Sequence, residues 1–321
     1  MIVNPPDHET LNDIALALYF KAWMEVSQLS YDLDDFLDVT NDAYGSEACD
    51  AEKSEYLRAC RSELQASYAT LQQANELALK ARICSVSPYL LLLGTDLKAF
   101  SPSTDTDFST LRTIDAVDLP RLVNAVCRTP LPPKFISQYE QMRSQRNKIA
   151  HLGDAGSTFD PDGILKMMVL QYINLWPARF WLNDYLHFSS KTRLGLLADN
   201  KNVSTHMEAM NEWVWCQGRF TKAEFKSLFG IEKRQRRYIC HSCLDNASMR
   251  YSEFSPEQCT TAYLSEDRKS LTCLMCLETF PVTNSKCRHC KGDILNSHVG
   301  ADMGRCHSCA SHQNDKPDWE L

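Results

Sequence analysis

KFISQYEQMRSQRNKIAHLG, residues 134–153, has no proline and no glycine before its last position, and Tyr139, Met142 and Ile149 recur along it at helical spacing. The stretch therefore predicts a helix over 134–152, with Gly153 where a C-cap glycine belongs. Asn147 and His151 are four residues apart and share a face, whereas Arg146 projects roughly 100° to one side of Asn147. A permanent cation, an amide and an imidazole, the side chain suited to proton transfer near neutral pH, so fall within a turn and a half. In a chain with this Arg and His content Arg-x4-His is expected about 0.5 times by chance, and about 0.02 times when Asn follows the Arg.

The flanks read as more helix. Thr10 is placed to cap a first helix whose apolar positions, Leu11, Ile14, Leu18, Trp23, Val26 and Leu29, carry it to about residue 30. Asp32, Asp34, Asp35, Asp38 and Asp42 then suggest an acidic turn; they lack the glycine-centred spacing of a calcium loop and are expected to form a solvated face. A long helix is expected from about Ala51 to Cys84, a polar loop over 101–113, and a short helix over 118–126. An aromatic-rich helix from Ile164 to about Phe188, kinked at Pro177, buries Met167, Leu170, Trp176 and Trp181 in the core or at a dimer surface. Helix following helix predicts an all-α domain over 1–190.

Residues 191–230 read as a linker holding one short helix, TKAEFKSLFGI, which Thr221 and Glu224 open as a capping box and Gly230 ends. Four Cys-x-x-Cys pairs follow: Cys240/Cys243, Cys273/Cys276, Cys287/Cys290 and Cys306/Cys309. A two-residue gap points both sulfurs of a knuckle at one ion, and two knuckles complete a tetrahedral all-sulfur site suited to zinc, so eight thiolates imply two structural Zn2+. Sequential pairing, first with second and third with fourth, suits the apolar lead-ins Tyr238-Ile239 and Leu271-Thr272; nested pairing is the alternative. His241, His289 and His307 sit inside knuckles and His298 and His312 near them, as spare ligands that a full thiolate set does not need. Residues 231–321 thus form a small zinc-ribbon-like domain with short β hairpins, and the fold class is mainly α. Cys49, Cys60, Cys84, Cys127, Cys216 and Cys259 are scattered and read as ordinary reduced residues.

The net charge of −7 conceals an asymmetry: residues 1–60 carry 13 Asp and Glu against 3 Lys and Arg, and 218–250 carry 8 Lys and Arg against 3 Asp and Glu. Arg234, Arg236 and Arg237, just before the first knuckle, are the candidate RNA-binding residues, because phosphate attraction acts locally whatever the global sign. No run of eighteen apolar residues exists and the N-terminus is polar, so the expectation is a cytoplasmic protein without membrane partners.

RNKIAH, preceded by QYEQMRSQ in a helical region, resembles the HEPN superfamily, whose motif is Arg, a polar residue that is often Asn, three residues and His. LQQANELALKARICSVSPYLLLL, with Glu76 and Lys80 one turn apart, is similar to the first core helix of such domains, and the likeness covers roughly residues 50–190. The resemblance implies an up-and-down helical domain that forms a homodimer, with Arg146, Asn147 and His151 of both copies lining a shared cleft. It implies an endoribonuclease that needs no metal for catalysis and serves as a toxin or an anti-phage effector. Two other readings stay open: an inactive HEPN-like scaffold whose zinc module binds nucleic acid or a protein partner, and a zinc-ribbon regulator with no enzymatic past.

Overall fold

The computed structural model describes residues 1–44, 46–93, 104–152, 159–193, 195, 204–248, 255–297 and 303–314, without the side chains of 40–48. The chain is mainly helical, with short antiparallel strands and cysteine clusters toward its C-terminal end, and it divides into two compact units, Met1–Pro177 and Ala178–Leu321.

The first unit is built on α1 (His8–Tyr44) lying along α3 (Arg61–Cys84), joined by α2 (Ser46–Ala59), α4 (Leu119–Val126), α5 (Pro133–Leu152) and α6 (Pro161–Leu175). Asp7, not Thr10, caps α1: its Oδ2 accepts from the Thr10 N–H at 2.8 Å and the Thr10 hydroxyl at 2.9 Å, and these bonds hold its carboxyl below the usual carboxylate range. α1 also runs through the acidic stretch expected to turn. Its inner stripe continues there as Val26, Ser30 and Leu33, all buried, so Asp32, Asp35 and Asp38 lie exposed on the outer face and Asp34 is half-buried; the Asp42 side chain lies outside the described residues. The helix expected from 51 to 84 breaks at Cys60 into α2 and α3.

The interior of this unit is an aromatic seam in which Tyr19 meets Phe20, Tyr172 and Trp176 at ring separations of 5.1, 5.7 and 5.5 Å. Each such side chain contributes about 1.5–3 kcal/mol on full burial. The Tyr19 hydroxyl donates to the Met168 carbonyl (3.1 Å) and the Trp176 indole to Asn12 Oδ1 (2.7 Å), so the polar tips are satisfied as well. Ile2–Val3 (β1) pairs in parallel with Thr106–Asp107 (β2), inside the segment expected to be an irregular loop.

The second unit holds α7 (Trp181–Lys191), α8 (Thr205–Arg219), α9 (Lys222–Phe229), α10 (His241–Ala247) and a four-stranded antiparallel sheet in the order β3 (Ala262–Leu264), β4 (Ser270–Cys273), β5 (Thr279–Asn284), β6 (Ile294–Asn296). Two differences from expectation follow. The helix expected from 164 to 188 stops at Leu175 and restarts at Trp181, with Pro177 in the gap, so the first unit ends near 177 rather than 190. The stretch 191–230, expected as a linker, contains α8 as well as α9, because Trp213 is fully buried against Phe225 (5.5 Å) and Phe229 (5.0 Å) and Trp181 also meets Phe229 (5.8 Å). The capping box of Thr221 and Glu224 forms as expected, and Gly230 ends α9 at φ +74°, a conformation that favours glycine.

Candidate functional site

Helix α5 buries Phe135, Tyr139 and Met142 and turns its other face to solvent. Toward its C-terminal end Arg143, Asn147 and His151, spaced by four, line a shallow, open cleft of about 380 Å³ together with Ser144 and Lys148, all five on this one helix. Asn147 is half-buried and His151 exposed. Arg146 lies outside the lining, on the neighbouring face, and its Nη1 donates to Asn147 Oδ1 at 3.2 Å. The three motif residues are thus brought together, Arg146 through Asn147 and His151 through the cleft. Gly153, the expected C-cap, falls outside the described residues.

The spacing argument overlooked Arg143. It is half-buried, lines the cleft, and its Nε is buried without a hydrogen-bond partner among the described residues. Its position four residues before Asn147 was the available signal. Beneath α5, Gln72 and Asn75 of α3 and Gln171 of α6 are buried around Met142, toward whose sulfur the Asn75 amide points at 3.8 Å and the Gln171 amide also donates.

The eight knuckle cysteines form two groups in the sequential pairing: Cys240, Cys243, Cys273 and Cys276, then Cys287, Cys290, Cys306 and Cys309, with the sulfurs of each group all within 4.8 Å of one another. Sulfur pairs stand 3.6 Å apart (Cys240–Cys276), 3.7 Å (Cys243–Cys273), and 3.8 Å (Cys287–Cys309 and Cys290–Cys306). A tetrahedron of metal–thiolate bonds about 2.3 Å long has edges of about 3.8 Å, so both groups have the dimensions to hold a metal ion. Local structure accounts for the convergence. Cys240 and Cys243 open α10, Cys273 ends β4, and the second and fourth knuckles each exit through a left-handed residue, Leu277 at φ +61° and Ala310 at φ +63°.

Backbone and side-chain donors already face the sulfurs: the N–H groups of Met275, His289, Gly292 and Ser308 lie 3.3, 3.3, 3.2 and 3.3 Å from Cys273, Cys287, Cys290 and Cys306. At Cys287, burial opposes the thiolate, but the His289 N–H and the Gln313 amide outweigh it and hold the thiol at about 6. Gly292 is required by space, since a Cβ there would stand 2.7 Å from the Ser308 hydroxyl and 3.0 Å from the Cys306 sulfur. The six remaining cysteines form no disulfide among the described residues.

The knuckle histidines stand outside both ligand groups. His241 and His307 are fully buried and stack on each other, ring centroids 4.1 Å apart, and His307 Nδ1 meets the Ile239 carbonyl at 2.8 Å. Burial first, and then the neighbouring His307, push His241 down to about 2, so it packs as a neutral ring. His289 Nε2 contacts the His312 carbonyl (3.0 Å); His298 lies outside the described residues.

The expected basic run is divided by the fold. Arg234 is exposed and makes no ion pair among the described residues. Arg236 is exposed but lies over the Tyr238 ring (4.9 Å) and pairs with Asp293. Arg237 is half-buried with its guanidinium over Trp213 (5.9 Å), a packing role that the sequence did not disclose. No helix among the described residues is long and apolar enough to cross a membrane. No known family model, curated protein or solved structure matches the chain.

Proposed function

We infer that the chain is an endoribonuclease that works as a homodimer and cuts RNA without a catalytic metal. The single observation that carries this reading is the placement of Asn147 and His151 on one open cleft, with Arg146 hydrogen-bonded to Asn147 beside it. In the reaction, the ribose 2′-oxygen attacks phosphorus and gives its proton to one His151 imidazole. The P–O5′ bond breaks, and the departing oxygen takes a proton from the His151 of the second copy. Arg146 offsets charge on the phosphoryl oxygens while Asn147 orients Arg146. Products carry a 2′,3′-cyclic phosphate and a 5′-hydroxyl, and DNA, lacking the nucleophile, is left intact.

The two four-cysteine groups take structural Zn2+. Four thiolates fill a tetrahedral ion's coordination sphere and leave no open position for substrate, so the ions hold the second unit together and that unit docks RNA or a protein partner. The HEPN resemblance extends this to a cytoplasmic toxin or anti-phage effector. The test is cleavage of single-stranded RNA by purified protein in chelator-treated buffer. His151→Ala is expected to lower the rate about 10²–10⁴-fold with the fold retained, and Arg146→Ala to abolish cutting, which excludes a contaminant as its source. Full activity in folded His151→Ala refutes the assignment of His151, and a wild-type protein that does not cut RNA is a non-catalytic scaffold.

A further inference from the structure

Among the described residues, a group of exposed cations that begins with Arg236, in the run before the first knuckle, gathers around Asp293 beside the second four-cysteine group. Asp293 accepts from Arg236 Nη1 at 3.3 Å and from Arg268 Nη2 at 3.2 Å, which sets two guanidiniums side by side while each side chain remains more than half exposed, 56% and 51%. Both are braced: Arg236 by the Tyr238 ring and the Ser308 hydroxyl (3.4 Å), Arg268 by Asn284 Oδ1 (3.1 Å).

The turn between β5 and β6 adds to them. Hydrogen bonds from the Ser285 N–H to the Asp293 carbonyl and from the Cys287 N–H to the Gly292 carbonyl, both 2.9 Å, pair the backbone at 285–287 with that at 292–293, and Lys286 and Lys291 lie within and next to this pairing. Both lysines are exposed, and neither has a carboxylate within ion-pair distance among the described residues. Of the nearby acids, Glu266 is exposed in the same turn as Arg268 with no ion pair to the four cations among the described residues, Asp267 turns back onto the Ser265 hydroxyl (2.7 Å) and the Lys269 N–H (3.1 Å), and Glu278 stands at the far end of β5, roughly 20 Å of strand away. Asp293 therefore organises the cations more than it neutralises them.

The geometry points to a phosphodiester-docking face here, in which Arg236, Arg268, Lys286 and Lys291 hold the backbone of single-stranded RNA. Two pinned guanidinium forks suit phosphate oxygens, and two mobile ammonium groups extend the contact along the strand. This rests on the reading of the second unit as an RNA-docking module, replaces Arg234 and Arg237 with other residues, and does not depend on the cleavage chemistry.

The test is binding of a labelled oligouridylate to the full-length, metal-loaded His151→Ala protein over a salt series. Adding Arg268→Ala, Lys286→Ala and Lys291→Ala should weaken binding about tenfold at low salt and lower the slope of log K against log salt by about 2, as expected for three lost phosphate contacts to a single strand. Lys286→Gln with Lys291→Gln removes no observed hydrogen bond, keeps metal content and melting temperature, and should give about two-thirds of that slope change. Unchanged affinity and slope in the double variant overturn the proposal, as does an equal loss per cation from Lys222→Ala. Because every arm lacks His151, a failure of wild-type protein to cut RNA bears on the nuclease reading alone.

Discussion

The cleft on α5 and the paired four-cysteine groups both arise from short spacings, Asn147 to His151 in one case and Cys-x-x-Cys in the other, yet their surroundings differ. Each sulfur group is closed within one chain: its four members converge within 4.8 Å, and N–H donors and buried packing complete the shell. The α5 cleft is open, His151 is exposed, and Arg146 stands to one side. A site meant to hold an ion permanently must exclude water and competing ligands, whereas a site meant to admit a polymer has to leave its reactive groups uncovered. The first kind is finished by folding alone; the second, on the proposed reading, is finished by a second copy.

That contrast can be broken most directly at the metal groups. Cys243→Ser should drop bound metal from two ions to one or fewer and unfold much of the second unit, since structural zinc sites of this type supply about 10–16 kcal/mol of apparent folding free energy. Elemental analysis with circular-dichroism melting reads this, and a variant with unchanged metal content and melting would show that the thiolates are not ligands.

A smaller effect tests how the two groups are joined. Arg305 donates twice to Asp245 at 2.8 Å and once to the Ala310 carbonyl at 3.0 Å, tying α10 of the first group to the fourth knuckle. Arg305→Ala should keep both ions yet cost about 1–3 kcal/mol in chelator or denaturant titration, because a charge-assisted bidentate contact is lost. Equal resistance to chelator would make the ion pair a surface ornament.

The smallest effect belongs to the cleft. Arg143→Gln is expected to slow RNA cutting about tenfold, which corresponds to about 1.4 kcal/mol of transition-state stabilisation, and to leave oligomeric state unchanged. Single-turnover kinetics at saturating RNA would separate this from weaker binding. An unaltered rate would confine Arg143 to packing and leave the phosphoryl charge to Arg146.

Much of this architecture is legible before any coordinates. The lead-ins Tyr238-Ile239 and Leu271-Thr272 favoured the sequential knuckle pairing that the fold adopts over the nested alternative, and the Thr221–Glu224 box marked its helix, because both depend on neighbours in sequence. The continuation of α1 was hidden because Ser27 and Ser30 occupy buried positions of the inner stripe, so apolar periodicity faded while the helix did not. α8 was hidden by its polar surround: Ala209, Met210, Trp213 and Cys216 carry its burial, and the Trp213 partners Phe225 and Phe229 come later in the chain. The fates of Arg236 and Arg237 hang on Asp293 and Trp213, partners too distant in sequence for a local charge count to see.

The stack of His241 on His307 constrains how this chain can change over generations. Each ring is carried on a loop of only two residues between cysteines, so lengthening either loop would pull a ring off its mate as well as a sulfur off its group. The two ring-bearing loops should therefore keep their length even where their other residues drift.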